Sequence, residues 1–188
     1  MTFFKLALAG AVSLAVLTGA AVAQAKDLLT INLKSGPVVI ELLPEIAPKH
    51  VARIKELAAE GAYDNVAFHR VIPGFMAQTG DVQYGNLEKN FEAGRAGMGG
   101  SSKPDLPAEF SKTPFKRGTV GMARSQSPDS ANSQFFIMFD EGSFLNGQYT
   151  VVGEVVSGME NVDKIKKGEG DSGSVTNPDR MISVKVGK

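Results

Sequence analysis

Two polar side chains stand out in an otherwise apolar stretch, FHRVIPGFMAQTGD at residues 68–81. Arg70 and Gln78 are separated by Pro-Gly, a dipeptide that marks a turn between two short strands. A guanidinium is always charged and holds its donors in a rigid fork, so it can stabilise an electron-rich atom without transferring a proton. An arginine among apolar side chains therefore indicates a binding groove or an active site that works by electrostatic stabilisation.

A second stretch repeats the pairing of an amide with an apolar side chain. Met76 and Gln78 lie two residues apart, and so do Gln134 and Phe136. Because side chains alternate along a strand, each pair shares one face. If the two faces converge, they form a shallow apolar pocket with a few hydrogen-bonding groups, and Arg70 overhangs it. The alternative is that Arg70 is an exposed residue and that both amides are solvated.

Other chemistries fit the sequence less well. GDSG at residues 170–173 matches the serine motif of trypsin-like proteases, but residues 174–188 are too few to build a specificity pocket behind that serine. The chain has two histidines and no cysteine, which argues against a metal cluster and excludes thiol catalysis. We therefore expect no metal and no cofactor, with His50 on a helix surface and His69 as a hydrogen-bonded structural group.

The apolar pattern predicts a mainly β protein. Residues 28–43 alternate around a Lys-Ser-Gly turn, which predicts a hairpin. Pro44 and Pro48 open an amphipathic helix that ends at Gly61, and a second short helix is predicted at 161–167. Two helices among some eight short strands predict a closed or nearly closed antiparallel barrel. The remaining strands are predicted at 66–72, 75–79, 118–124, 134–139, 150–156 and 181–186.

The first 25 residues have the pattern of a secretory signal peptide. One lysine precedes an Ala- and Leu-rich run that ends in small residues at alternating positions. We expect cleavage after Ala23 or Ala25, one domain over residues 26–188, and a periplasmic location. An uncleaved membrane anchor is the alternative, but Gly and Ala make the run weakly hydrophobic, so no stable membrane insertion is expected.

Charge composition limits the classes of partner. Lys plus Arg number 20 and Asp plus Glu number 20; removal of the signal also removes Lys5 and leaves 19 basic against 20 acidic residues. This balance does not indicate a nucleic-acid partner. Without cysteines, stability must come from packing and hydrogen bonds. We expect a monomer.

Taken together, these motifs resemble the cyclophilins, which are peptidyl-prolyl cis-trans isomerases. The stretch at 68–81 is similar to the cyclophilin signature almost residue for residue. The similarity continues in the same order through nearly all of the expected mature chain, in GMGGSS (97–102), AEF (108–110), RGTVGMARS (117–125), NSQFFI (132–137) and FLNGQYTVVGEVVSGM (144–159). The resemblance implies a closed eight-stranded antiparallel barrel capped by two α-helices, with the active site on its outer face.

The resemblance also implies a role for residues at matching positions. Arg70 would be the catalytic residue, and Gln78 would orient it and touch the substrate backbone. Main-chain groups around 123–125 would hold the peptide, and Gln134 would line a neighbouring subsite. The walls of the proline pocket would be Phe75, Met76, Phe136 and Leu145. The whole substrate-binding set would be Phe75, Met76, Gln78, Ala123, Arg124, Ser125, Gln134, Phe136, Phe144, Leu145 and Tyr149.

Three departures from the family pattern affect this site. Phe144 replaces the tryptophan of many eukaryotic members, and Tyr149 replaces a pocket histidine, as in bacterial exported members. The inhibitor cyclosporin uses the indole N–H in the family, so we expect it to bind only weakly. The segment 125–133 is one residue longer than usual, which leaves the correspondence at 125–128 open.

The implied function is acceleration of X-Pro bond rotation during the folding of exported proteins. The partners would be proline-containing peptides and unfolded exported proteins. Rotation has a barrier of about 18–20 kcal/mol because it breaks amide conjugation, and Arg70 could donate to the nitrogen that becomes basic in the twisted state. The alternative is a non-catalytic Pro-peptide binding module or chaperone of the same fold. Retention of Arg70 favours the enzyme, since binding alone could use the apolar pocket.

Overall fold

The computed structural model describes residues 27–187, which contain short strands and two α-helices joined by loops. The expected signal peptide lies outside these residues. No helix within 27–187 is long and apolar enough to cross a membrane. A 3₁₀ turn lies at Ser143–Leu145. The elements are β1 (Leu28–Leu33), β2 (Gly36–Leu42), α1 (Pro48–Ala59), β3 (Val66–Ala67), β4 (Arg70–Ile72), β5 (Met76–Thr79), β6 (Thr119–Met122), β7 (Phe135–Met138), β8 (Val151–Ser157), α2 (Met159–Val162), β9 (Arg180–Met181) and β10 (Ser183–Gly187).

Eight of these strands form one antiparallel sheet in the order β10-β1-β2-β8-β6-β7-β5-β4, and β3 pairs with β9 in a separate ladder. The fold is therefore mainly β with eight sheet strands, as predicted. The expectation of a closed barrel is wrong, because β10 and β4 end the sheet on opposite sides and do not pair. The sheet is an open, curled half-barrel.

The glycine-rich segment after α2 explains why the sheet does not close. It lies along the outer edge of β4, where the Val71 N–H donates to the Gly173 carbonyl at 2.7 Å and the Gly168 N–H donates to the Val71 carbonyl at 2.8 Å. These contacts use the outward backbone groups that a ladder to β10 would need. The edge of the sheet is thus covered by a loop instead of a strand.

The predicted hairpin and first helix are confirmed, and three other elements differ from the prediction. The expected strand at 181–186 is divided at Ile182, whose N–H donates to the Asn32 carbonyl at 2.8 Å, so its two parts belong to β9 and β10. The expected strand at 66–72 is split between β3 and β4, because the Phe68 N–H donates to the Asp179 carbonyl at 2.8 Å and the two halves join different sheets. The predicted helix at 161–167 is shorter and begins earlier, at Met159, after Gly158 in the left-handed conformation at φ 85°.

Glu109 explains an error in the placement of His50. This histidine lies in the first turn of α1 and is fully buried, not on the helix surface. The Glu109 carboxylate accepts the backbone N–H groups of Lys49 and His50 at 3.1 Å, and it lies 2.7 Å from His50 Nδ1. A distant acidic residue thus caps a helix that has no capping side chain of its own.

The central strands β5 and β7 bury both of their faces. Ala77 and Ile137, which face each other across the two strands, belong to the main core beneath α1. Met76 and Phe136 belong to a separate apolar cluster on the opposite face, completed by Phe115, Met138, Leu145 and Val151. This second cluster forms the floor of the candidate site on the outer face of the sheet.

Candidate active site

The β4–β5 hairpin places the first two candidate residues side by side. Arg70 and Gln78 are direct partners in the ladder, and Gly74 in the turn adopts φ 70°. Arg70 Nη1 donates to Gln78 Oε1 at 3.3 Å. The Pro-Gly dipeptide therefore does what the sequence pattern predicts, since it folds the strand back and brings the guanidinium and the amide together.

The two glutamines form a hydrogen-bonded row. Gln78 Nε2 donates to Gln134 Oε1 at 3.0 Å, across the pairing of β5 with β7. Gln134 Nε2 in turn donates to the carbonyls of Gly97 and Gly99, at 3.0 and 2.7 Å. The amides are therefore not merely solvated. Because each one has both ends engaged, the row fixes the orientation in which Gln78 presents its oxygen to Arg70.

The other side of the Arg70 guanidinium is held by the GDSG motif. Arg70 Nε donates to the backbone carbonyl of Ser172 at 3.0 Å. Both acceptors, this carbonyl and the Gln78 amide, are uncharged, and within residues 27–187 no carboxylate lies within salt-bridge distance of Arg70. The guanidinium is thus fixed in orientation with its charge uncancelled. The sequence gives no signal for the contribution of Ser172, because a carbonyl is present at every residue.

A hollow of about 300 Å³ lies beside Arg70, and we call it the apolar pocket. Its floor is stiff, because Met76, Phe136 and Leu145 are almost completely buried. The Phe136 ring stacks on Phe115 at 5.7 Å and meets the edge of Tyr149 at 5.9 Å. The lining residues are Arg70, Phe75, Met76, Gln78, Ala123, Arg124, Phe136, Phe144, Leu145 and Tyr149.

A second hollow of about 220 Å³ adjoins the first, and we call it the polar pocket. Ser125 and Gln134, the two members of the expected substrate-binding set that do not line the apolar pocket, line this one. The two pockets share Gln78, Ala123 and Arg124. The other lining residues are Gly97, Met98, Gly99, Ser130, Asn132 and Ser133.

Comparison with known proteins decides the family. The family model described as cyclophilin type peptidyl-prolyl cis-trans isomerase/CLD matches residues 28–186. The chain belongs to this family. It is 63% identical over 191 residues to a probable peptidyl-prolyl cis-trans isomerase of Brucella suis, covering 99% of this chain and 97% of the relative. As a member of the cyclophilin family, the protein is a peptidyl-prolyl cis-trans isomerase.

Solved cyclophilin structures are similar in fold. A cyclophilin from Hirschia baltica matches with a TM-score of 0.70 and 27% identity, covering 85% of this chain and 73% of that one. A cyclophilin-type isomerase of Cryptosporidium parvum, crystallised in the presence of the dipeptide Ala-Pro, matches with a TM-score of 0.69 and 25% identity, covering 86% of this chain and 99% of that one.

Two main-chain donors of the segment after β6 in this cyclophilin are already engaged within the fold. The Ala123 N–H donates to the Gln134 carbonyl at 2.9 Å, and the Ser125 N–H donates to Ser130 Oγ at 3.0 Å. A peptide held here would therefore use other main-chain groups of this segment. The Ser125 and Ser130 hydroxyls, 2.7 Å apart, tie the longer loop at 125–133 into a compact turn.

Asp81 organises the rim of the polar pocket, and the sequence reasoning assigned it no role. This fully buried carboxylate accepts the N–H groups of Gly97 and Gly99 at 2.7 and 2.9 Å through Oδ2. Its Oδ1 accepts the N–H groups of residues 83 and 84 at 3.0 and 2.9 Å. The same two glycines offer their carbonyls to Gln134, so Asp81 fixes the loop that completes the amide row.

The usual carboxylate and imidazole groups of general acid–base catalysis are absent from this cyclophilin site among residues 27–187. Neither pocket is lined by a carboxylate or an imidazole of the described residues. His69 is buried, as expected for a structural group, but neither ring nitrogen has a hydrogen-bond partner within residues 27–187. Burial lowers the pKa of His69 and so favours the neutral form of its ring. The chemistry that the site supports is binding together with electrostatic stabilisation.

Proposed function

We propose that this isomerase accelerates rotation about X-Pro bonds through Arg70, with the proline ring held in the apolar pocket. The observation that carries the proposal is the position of a fixed and uncancelled guanidinium at the rim of a rigid apolar hollow. Nη2 of Arg70 makes no hydrogen bond within residues 27–187, so it is free to donate to a substrate.

The transition state of the reaction explains the use of arginine. A planar amide nitrogen has its lone pair delocalised into the carbonyl, and twisting breaks this conjugation at a cost of about 18–20 kcal/mol. The nitrogen then becomes pyramidal and basic, and it can accept a hydrogen bond that the planar nitrogen cannot. A donor that binds the twisted amide more strongly than either planar form lowers the barrier.

The apolar pocket supplies a second contribution. Water stabilises the polarised carbonyl of the planar amide, so withdrawing the bond from water lowers the barrier to twisting. A charge-assisted hydrogen bond contributes about 1.5–3 kcal/mol, which is about one to two powers of ten in rate. Desolvation by the pocket and a fixed substrate geometry must therefore provide the rest of a larger acceleration.

The test measures rotation and binding separately. Exchange between the cis and trans forms of an Ala-Pro peptide is followed by two-dimensional NMR, and binding is measured from shifts of the protein signals. We expect Arg70→Ala to lose at least about tenfold in exchange rate at saturation while still binding the peptide. Arg70→Lys should recover only part of the loss, since an ammonium lacks the fork that reaches Gln78 and Ser172 together.

Two outcomes would contradict this mechanism. If Arg70→Ala catalyses exchange as fast as the wild type, the guanidinium is not the catalytic group. If neither protein raises the exchange rate above the uncatalysed value while both bind the peptide, the chain is a Pro-peptide binding module.

We also propose that the enzyme acts in the periplasm on unfolded exported proteins. The support is the signal-peptide pattern of residues 1–25. Prolyl isomerisation takes tens of seconds or more without a catalyst, which makes it a slow step that an isomerase can relieve during folding. Fractionation of cells that produce the full chain, followed by N-terminal sequencing, should find the protein in the periplasm beginning at Gln24 or Lys26. An uncleaved chain in the membrane fraction would contradict the proposal.

A further inference from the structure

We propose that the Arg124 side chain gives this isomerase a preference for substrates with an acidic residue close to the proline. The inference rests on the proposed use of the apolar pocket as the proline site. Arg124 lines the apolar and the polar pocket alike. A peptide that fills the first and continues into the second therefore passes the Arg124 guanidinium within a few residues of its proline.

The Arg124 guanidinium is held in a fixed position. Nη1 donates to the backbone carbonyls of Ser125 and Gln126 at 2.9 and 3.2 Å, and Nη2 donates to that of Gln148 at 3.0 Å. The guanidinium carbon lies 4.4 Å from the centre of the Tyr149 ring. All of these partners are uncharged, so they fix the group without neutralising it.

Unlike Arg124, most other arginines of the described chain are paired with a carboxylate. Four arginines of residues 27–187 have a carboxylate within 4.0 Å, while Arg70 and Arg124 have none, and these two line the apolar pocket. No carboxylate of this part of the chain lines either pocket. The paired arginines are Arg53 with Glu56, Arg95 with Glu92, Arg117 with Asp163 and Arg180 with Glu88.

The groove therefore offers uncompensated positive charge to a passing side chain. A substrate carboxylate is attracted to it, and a lysine or arginine is repelled. Because the groove is open to solvent, the effect is that of an exposed ion pair, about twofold to fivefold in kcat/KM. The upper part of this range is expected, since Arg124 is already fixed and loses little side-chain freedom on pairing.

The experiment compares peptides that differ in one side chain. Each peptide contains a single Ala-Pro bond flanked by alanines. Glu, Gln or Lys replaces one alanine at a time, at each of the two positions before Ala-Pro and each of the two positions after it. The Gln peptide is the neutral match of the Glu peptide. At low ionic strength we expect a Glu-to-Gln ratio of kcat/KM of about two to five at one or more positions, and a Lys-to-Gln ratio below one. Both ratios should approach one at about 0.5 M salt.

Three variants assign the preference to its residue. Arg124→Gln should bring the Glu-to-Gln ratio close to one, and Arg124→Lys should keep part of it because the charge remains. Arg180→Gln removes an equal charge from a residue that lines neither pocket, so its ratio should equal that of the wild type. Each ratio is taken within one protein preparation, so a reduced active fraction in a variant does not change it.

Two results would overturn the proposal. One is a wild-type ratio of one at every position, and the other is a preference that Arg124→Gln leaves unchanged. The experiment distinguishes failure of this proposal from failure of the proposed mechanism. A Glu-to-Gln ratio of one at every position, together with an inactive Arg70→Ala variant, refutes only the acidic preference. An Arg70→Ala variant with full activity refutes the mechanism whatever the ratios are.

Discussion

Replacing Asp81 by asparagine should loosen the rim of the polar pocket and lower the stability of the domain. The buried carboxylate accepts four backbone N–H groups, two on each oxygen. In Asp81→Asn one oxygen becomes an NH₂ group, so two of those N–H groups lose their acceptor and face another donor. A hydrogen bond to a charged group contributes about 1.5–3 kcal/mol, so two of them amount to about 3–6 kcal/mol.

The asparagine can turn its NH₂ toward either pair of N–H groups. If it faces Gly97 and Gly99, the loop can detach locally, and the global free energy of unfolding falls by less than the full amount. Exchange of the two glycine amides should then become much faster, and Gln134 should lose the carbonyls that orient it. The two readouts, urea denaturation and amide hydrogen exchange, separate local from global loosening.

Asp129→Asn is the matched control. Asp129 is exposed and, within residues 27–187, accepts only the N–H of Ala108, at 2.8 Å. Its replacement should therefore change the free energy of unfolding by less than about 1 kcal/mol. The reasoning would be refuted if Asp81→Asn stayed within about 0.5 kcal/mol of the wild type and the exchange of Gly97 and Gly99 were unchanged.

Two further predictions concern pH and an inhibitor. Burial raises the pKa of Glu109, but hydrogen bonds from His50 and Lys49 outweigh it and leave the pKa below its usual range. The stability that Glu109 contributes is present above its unfolded-state pKa and is lost as the pH falls through its folded-state pKa. In urea titrations, Glu109→Gln should therefore lose less free energy of unfolding at acidic pH than the wild type. An identical pH profile for the two proteins would contradict the assignment. Phe144→Trp restores an indole N–H at an exposed side chain and should tighten cyclosporin binding in calorimetry; an unchanged affinity would show that this donor is not the limiting contact.

Local patterns predicted the elements that depend on neighbours in sequence. Leu29, Ile31 and Leu33 are buried, as a strand with a period of two requires, and α1 ends at Ala59, two residues before the Gly61 that was predicted to stop it. The proximity of Arg70 and Gln78 could also be predicted from the sequence, because the Pro-Gly turn fixes the register of the hairpin. The position of the apolar and polar faces of β5 and β7 followed from the same period.

Contacts between distant parts of the chain were not predictable from local pattern. The capping of α1 by Glu109 spans about sixty residues, and nothing near His50 indicates it. The open edge of the sheet depends on the backbone of 168–175, whose glycine-rich composition predicts only a loop. The Ser172 carbonyl that holds Arg70 is a backbone group, and the Asp81 carboxylate binds backbone N–H groups. Such backbone partners have no residue-specific signature in a sequence.

In the proposed mechanism, the neutral partners of Arg70 are what would allow a single arginine to serve as the catalytic group. A carboxylate beside Arg70 would fix the guanidinium just as firmly, but it would cancel much of the field that a developing lone pair on nitrogen must feel. A carbonyl at 3.0 Å and an amide oxygen at 3.3 Å supply the same directional constraint through dipoles. The amide must itself be oriented, since a reversed Gln78 would present its NH₂ to Arg70. The row through Gln134 to the carbonyls of Gly97 and Gly99 opposes that reversal, so in the proposed mechanism the loop that carries these glycines would support catalysis without touching the reacting bond.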